Sequence, residues 1–152
     1  MSLTRREMCL LLPAILPATV RLEGATPQDN SASSSLPSAT FPFEQLAVHT
    51  TDSKAQIRNV FKGKLATGES IEVHQTTLPP GGMPHAAHHH VHSEMWLVRE
   101  GTVELTINGK SSRFGAGSVG FVRSNEEHGI KNVGTTPATY FVVAMGPGAG
   151  GV

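Results

Sequence analysis

The sequence predicts an all-β domain, an antiparallel barrel or sandwich of short strands. Three observations carry this. Between about residues 43 and 145 no helical period is sustained. Short β-prone runs recur there instead, several of them alternating apolar and polar residues. Sixteen Gly and ten Pro in 152 residues supply turns between such runs.

The N-terminus reads as an address rather than as part of that domain. Thr4-Arg5-Arg6 precedes an apolar run from Leu10 to Ala18. A basic pair before a short apolar stretch is the layout of a bacterial signal peptide and resembles a twin-arginine signal. Residues 1–25 are therefore expected to direct export, which makes the mature protein periplasmic or secreted; the alternative is a basic N-terminus on a cytosolic protein. The run is too short to cross a bilayer as a helix and contains Pro13 and Pro17, so no stable membrane anchor is expected. Residues 26–42, rich in Ser, Pro, Ala and Asn, read as a flexible linker. Residues 43–146 read as the barrel and the Gly-rich residues 147–152 as a disordered tail. Without leader and linker roughly 110 residues remain, still enough for one buried core.

Charge and cysteine exclude several classes of function. Lys plus Arg number 12 and Asp plus Glu number 12, so neither nucleic acid nor an anionic membrane surface is expected as a partner. Cys9 is the single cysteine, which rules out a disulfide framework and a cysteine-based metal site. Nothing reads as a phosphate cradle, a dinucleotide fingerprint or a nucleophilic triad.

The strands follow in order. Ile71-Glu72-Val73-His74 alternates, and Met95-Trp96-Leu97-Val98 is apolar on both faces. Val103 to Ile107 alternates again and is followed by Asn108-Gly109, which supplies the positive φ of a two-residue hairpin turn. Val119–Val122 and Thr139–Ala144 complete the set. If Glu94 points inward, Trp96 and Val98 do too, and Met95 and Leu97 point outward. Outward Met and Leu call for cover by a second layer, an N-terminal strand or another subunit, so a homodimer is one expectation.

Five of the eight His fall between positions 85 and 92. His88, His90 and Glu94 share parity, so in an extended chain they project from one face. Two imidazoles and a carboxylate make most of a transition-metal site. A third imidazole could come from His128, which lies 34 residues after Glu94 and is the sole His downstream.

These residues resemble the first cupin motif: Gly, five residues, His-x-His, three or four residues, Glu, six residues, Gly. Gly82, His88, His90, Glu94 and Gly101 meet every spacing. Gly117, His128 and Asn132 fit the second motif, but Arg123 and Asn125 stand at its Pro and Gly positions. Asn tolerates left-handed φ, so Asn125 is expected still to turn the chain. The resemblance implies a single-domain cupin, a double-stranded β-helix or jelly-roll barrel. It also implies that His88, His90, Glu94 and His128 bind one metal inside the barrel. His92 has ligand parity and is expected near the mouth, a candidate for moving protons. His85 is expected at the entrance, His89 outside, and His49 and His74 at ordinary sheet positions. Adjacent Glu126 and Glu127 read as a solvated turn.

Three His and one Glu would close a tetrahedral zinc, whereas octahedral Mn, Fe, Co or Ni keeps two positions open. Folding in the cytoplasm before twin-arginine export makes Mn or Fe the expected metal. The implied function is an exported mononuclear metal-binding cupin, an enzyme acting on a small organic molecule by dioxygenase, decarboxylase or isomerase/lyase chemistry. The alternative is a non-catalytic periplasmic module that binds metal or a small molecule. A tight, partly apolar cavity lined by Trp96, Met83, Phe121 or Phe141 favours the enzyme; a shallow, wet site favours the carrier.

Overall fold

The computed structural model describes residues 35–150. The expected signal over residues 1–25 and most of the linker lie outside that range. A 3-10 turn, Phe43–Gln45, precedes nine strands, and the described residues contain no α-helix. The strands are β1 His49–Thr50, β2 Gln56–Lys64, β3 Ser70–Leu78, β4 Ser93–Glu100, β5 Thr102–Ile107, β6 Lys110–Gly115, β7 Val119–Val122, β8 His128–Asn132 and β9 Ala138–Met145. They form a six-stranded sheet in the order β1-β2-β3-β9-β4-β7 and a three-stranded sheet in the order β6-β5-β8. All named pairings are antiparallel, as in a jelly-roll barrel.

Each run singled out in the sequence becomes a strand, and Asn108-Gly109 turns β5 into β6 with φ of 47° and 77°. Both residues sit in the left-handed region, which a two-residue hairpin needs. Gly101 joins β4 to β5 at φ 82°, where a Cβ would lie 2.6 Å from the Ala138 Cα. Only a glycine lets the two backbones approach that closely.

Strand parity divides core from surface. Along β4, Trp96 and Val98 are buried while Leu97 is 37% exposed. The register aligns Trp96 with Val142 and His74 in one row across β4, β9 and β3, and Val98 with Tyr140 and Thr76 in the next. The core gathers these with Val103, Leu105, Val122 and Ile130 from both sheets. Outside, Leu97 lies opposite Val119, with Phe121 nearby at 52% exposed, on β7 at the sheet edge.

Two stretches read as loose make defined contacts. Leu36 donates its N–H to the Lys64 carbonyl at 2.8 Å. Residues 147–150 form a turn in which Ala149 is buried and its N–H reaches the Gly146 carbonyl at 3.1 Å.

Candidate metal centre

His88 and His90 do not lie on a strand continuous with Glu94. Among these residues β4 starts only at Ser93, and His88 forms an isolated bridge with His128. Pro79, Pro80 and Pro84 have no N–H to give a ladder, so the segment between β3 and β4 runs as a loop. This loop is zipped to β8 at two points. Gly81 N–H donates to the Asn132 carbonyl at 3.0 Å, and Asn132 N–H to the Gly82 carbonyl at 2.9 Å. His88 and His128 exchange both backbone bonds, at 3.0 and 2.8 Å. Asn125 adopts φ 62°, as its place in the second motif requires, and donates its N–H to the His90 carbonyl at 2.8 Å.

These contacts gather the four candidate residues. The His88, His90 and His128 rings have centroids 4.8 to 5.2 Å apart, and each offers a ring nitrogen within 4.8 Å of the others. Glu94 Oε1 lies 3.3 Å from His90 Nε2, and Oε2 lies 3.5 Å from His128 Nε2. His92 stacks on His90 with centroids 3.5 Å apart and places Nε2 3.4 Å from Glu94 Oε1. His85 meets His88 edge to face, and His89 is exposed.

The backbone orients two of the rings. His90 Nδ1 is 2.9 Å from the His92 carbonyl, and His128 Nδ1 is 2.8 Å from the Glu126 carbonyl. A carbonyl only accepts, so Nδ1 carries the proton and each Nε2 turns toward Glu94. His88 Nδ1, His90 Nε2 and His128 Nε2 are buried without a hydrogen-bond partner among the described residues. Unpaired lone pairs beside a carboxylate repel one another unless a cation lies among them, so this donor set fits a metal ion.

Electrostatics bear the same mark. Burial works to raise the Glu94 pKa, yet the His128 ring against it and the charges of His90 and His128 outweigh it and bring the carboxyl to about 2. Burial, with His85 and His128 nearby, lowers His88. Burial also works to lower His128, but its contacts with Glu94 and the Glu126 carbonyl prevail and raise it. His92 is lowered by burial first and by His90 second, against the pull of Glu94.

Glu94 and His128 also border a cavity of about 190 Å³ inside the barrel. Its walls are mainly apolar, with Ile57, Trp96, Ile130 and Val142, and its polar contributions include His74, Thr76, His85 and Tyr140. Of the aromatic and Met candidates only Trp96 lines it. Phe121 and Phe141 have the outward parity of their strands, because Val122, Tyr140 and Val142 take the inward positions; Met83 is exposed on the loop. His74 borders the cavity, one strand removed from Trp96 across Val142. Its alternation with Val73 was visible, but not which strand would face it. Tyr140, adjacent to Phe141 in an apolar run, gave no such signal.

Residues 74–144 match the family described as "Cupin domain". An RmlC-like cupin from Shewanella frigidimarina superposes with a TM-score of 0.60 at 20% identity, over 72% of this chain and 92% of that one. The domain has a cupin fold. The same fold appears in a predicted oxalate decarboxylase from Thermotoga maritima, with a TM-score of 0.62 at 19% identity over 71% of this chain and 99% of that one. It appears again in the polyketide cyclase RemF from Streptomyces resistomycificus, with a TM-score of 0.59 at 16% identity over 72% and 80%. In sequence, the mannose-1-phosphate guanylyltransferase of Klebsiella pneumoniae is 30% identical over 76 residues, 50% of this chain and 16% of that enzyme. ManC of Salmonella typhimurium is 32% identical over 80 residues, 52% of this chain and again 16% of the enzyme. The chain thus spans about 16% of the length of these curated relatives.

Proposed function

We propose that this cupin is an exported metal-dependent enzyme in which His88, His90, Glu94 and His128 hold one divalent transition metal, Mn or Fe. The observation that carries the reading is the set of three buried imidazole nitrogens, unpaired among the described residues and clustered together, with two of the rings against one depressed carboxyl. When bound, such a metal supplies Lewis-acid polarisation of a substrate oxygen or one-electron chemistry. The chain's own part is to keep Nδ1 of His90 and His128 protonated on backbone carbonyls, so that Nε2 stays a ligand. The largely apolar cavity beside Glu94 and His128 offers a small substrate mostly hydrocarbon walls, which supports the catalytic reading over a carrier. His85 borders that cavity and His92 touches Glu94, so both are placed to move protons, His85 toward the substrate and His92 toward the carboxylate. The reaction class is dioxygenase, decarboxylase or isomerase/lyase.

Elemental analysis of untagged protein from its own compartment, beside His128→Ala, tests the centre. One equivalent of Mn or Fe in the parent and little in the variant is expected; equal metal in both sinks the assignment. Export rests on Arg5-Arg6, and a Lys-Lys replacement should leave the protein in the cytoplasm, which fractionation would reveal. Undiminished export of that variant removes the twin-arginine route.

A further inference from the structure

The metal reading leaves part of the cavity lining unassigned, including Tyr140, whose row lies two rows from that of Glu94 with the Trp96–Val142 row between them. Its side chain borders the cavity that Glu94 and His128 also border, and the residue is 1% exposed. Its register partners are Thr76 on β3 and Val98 on β4. The hydroxyl is buried and has no hydrogen-bond partner among the described residues. An unpaired buried hydroxyl is unfavourable, and phenylalanine would fill the same space without that penalty. Thr76, its row partner, is the polar group near the hydroxyl; the two do not meet hydrogen-bond geometry, and Thr76 offsets only part of the burial that pushes the phenol well above its ordinary range, so it remains a donor.

The space between Tyr140 and the His/Glu cluster is bounded by apolar side chains, among them Trp96, Ile130 and Val142. An apolar cavity of about 150 Å³ admits benzene, so one of this size takes a molecule of roughly six to nine heavy atoms. A donor at one side, a metal centre at another and hydrocarbon between them describe a ligand.

We propose that the cavity binds a small oxyacid whose carboxylate lies at the metal centre and whose second oxygen, a carbonyl, accepts a hydrogen bond from Tyr140 Oη across an apolar middle. The carboxylate end rests on the proposed metal; the carbonyl end rests on Tyr140. Thr76 and His74 flank the phenol's rows and shape the polar side of the pocket.

The test uses the full chain loaded with Mn(II), as parent and as Tyr140→Phe. Calorimetric titration compares 4-oxopentanoate and 5-oxohexanoate with their ketone-free parents, pentanoate and hexanoate. At least one keto acid should bind the parent protein about five- to tenfold more tightly than its ketone-free counterpart. The variant should bind the two alike, with the ketone-free acid unaffected. Its metal content should be unchanged, and its Tm should be equal or higher. A keto preference that survives in the variant, none in the parent protein, or a lowered Tm overturns the role of Tyr140. Metal content on the same samples separates the two readings: no metal in either protein sinks the centre itself, whereas full metal without a Tyr140 effect sinks only this inference.

Discussion

A carboxyl inside an apolar barrel ordinarily gains protons, but Glu94 does the opposite because three imidazoles face it. The sign for stability follows. A carboxyl whose pKa is lower in the folded than in the unfolded state stabilises the fold above its ordinary value of 4.5. That stabilisation is lost as pH falls through 4.5 toward about 2. The shift corresponds to about 3 kcal/mol, at about 1.4 kcal/mol per tenfold change in proton affinity. His88, lowered by burial, also loses stabilisation as pH falls, though from nearer 6.5. His128, raised, stabilises below 6.5 and loses that contribution as pH rises through its folded value. Metal-free protein should therefore weaken steeply between pH 4.5 and 3, and Glu94→Gln should flatten that limb. Urea unfolding in the presence of chelator measures both, and an acid limb that is identical in the variant means Glu94 is not the group responsible.

The loop that carries His88 and His90 has no strand of its own and depends on β8. Asn132 is the fastening. Its Nδ2 donates to the Leu78 carbonyl at 3.0 Å and the Thr136 carbonyl at 2.8 Å, and its Oδ1 accepts from Gly134 N–H at 2.9 Å. Asn132→Ala leaves buried backbone groups unpaired and should cost about 2–4 kcal/mol, read as a lower urea midpoint. Metal affinity should fall as well, although Asn132 touches none of the four candidate ligands; unchanged affinity would mean that the backbone bonds to β8 hold the loop without the Asn132 side chain. This dependence also explains what could be read beforehand. Spacing gave Gly82, His88, His90, Glu94, Gly101, His128 and Asn132, because motif positions keep their distances along the chain. The β5–β6 turn was legible because Asn-Gly has one strong preference. β2 was not, since its register shifts between Asn59 and Phe61 and breaks the alternation. Nor was β6, whose Lys110-Ser111-Ser112-Arg113 start is polar and owes its pairing to β5. The cavity wall was hidden for a different reason. His74 and Tyr140 fall in the rows of Trp96 and Val98 only through the registers of three strands, and no local pattern encodes those registers.

At the scale of the molecule, the candidate centre draws its residues from both sheets and from a loop. Glu94 belongs to β4 in the six-stranded sheet, His128 to β8 in the three-stranded sheet, and His88 and His90 to the loop between β3 and β4. No strand of one sheet pairs along its length with a strand of the other; the Asn132–Leu78 bond, the backbone bonds from the β3–β4 loop to β8, side-chain packing and this cluster hold the two together. A metal held by all three parts binds the folded barrel and not the unfolded chain, and so stabilises it by mass action. At free metal one hundred times the dissociation constant the gain is about 2.7 kcal/mol, which for a domain of this size is roughly 10–20 °C in Tm. Adding chelator to metal-loaded protein should lower Tm by that order in a scanning fluorimetry experiment. In His128→Ala, which lacks the contribution of the smaller sheet, chelator should change Tm little, because the cation no longer bridges. A parent protein whose Tm ignores chelator while metal leaves it would place the metal on one element only. The barrel would then owe its closure to its core, from Trp96 and Val98 on one sheet to Leu105 and Ile130 on the other.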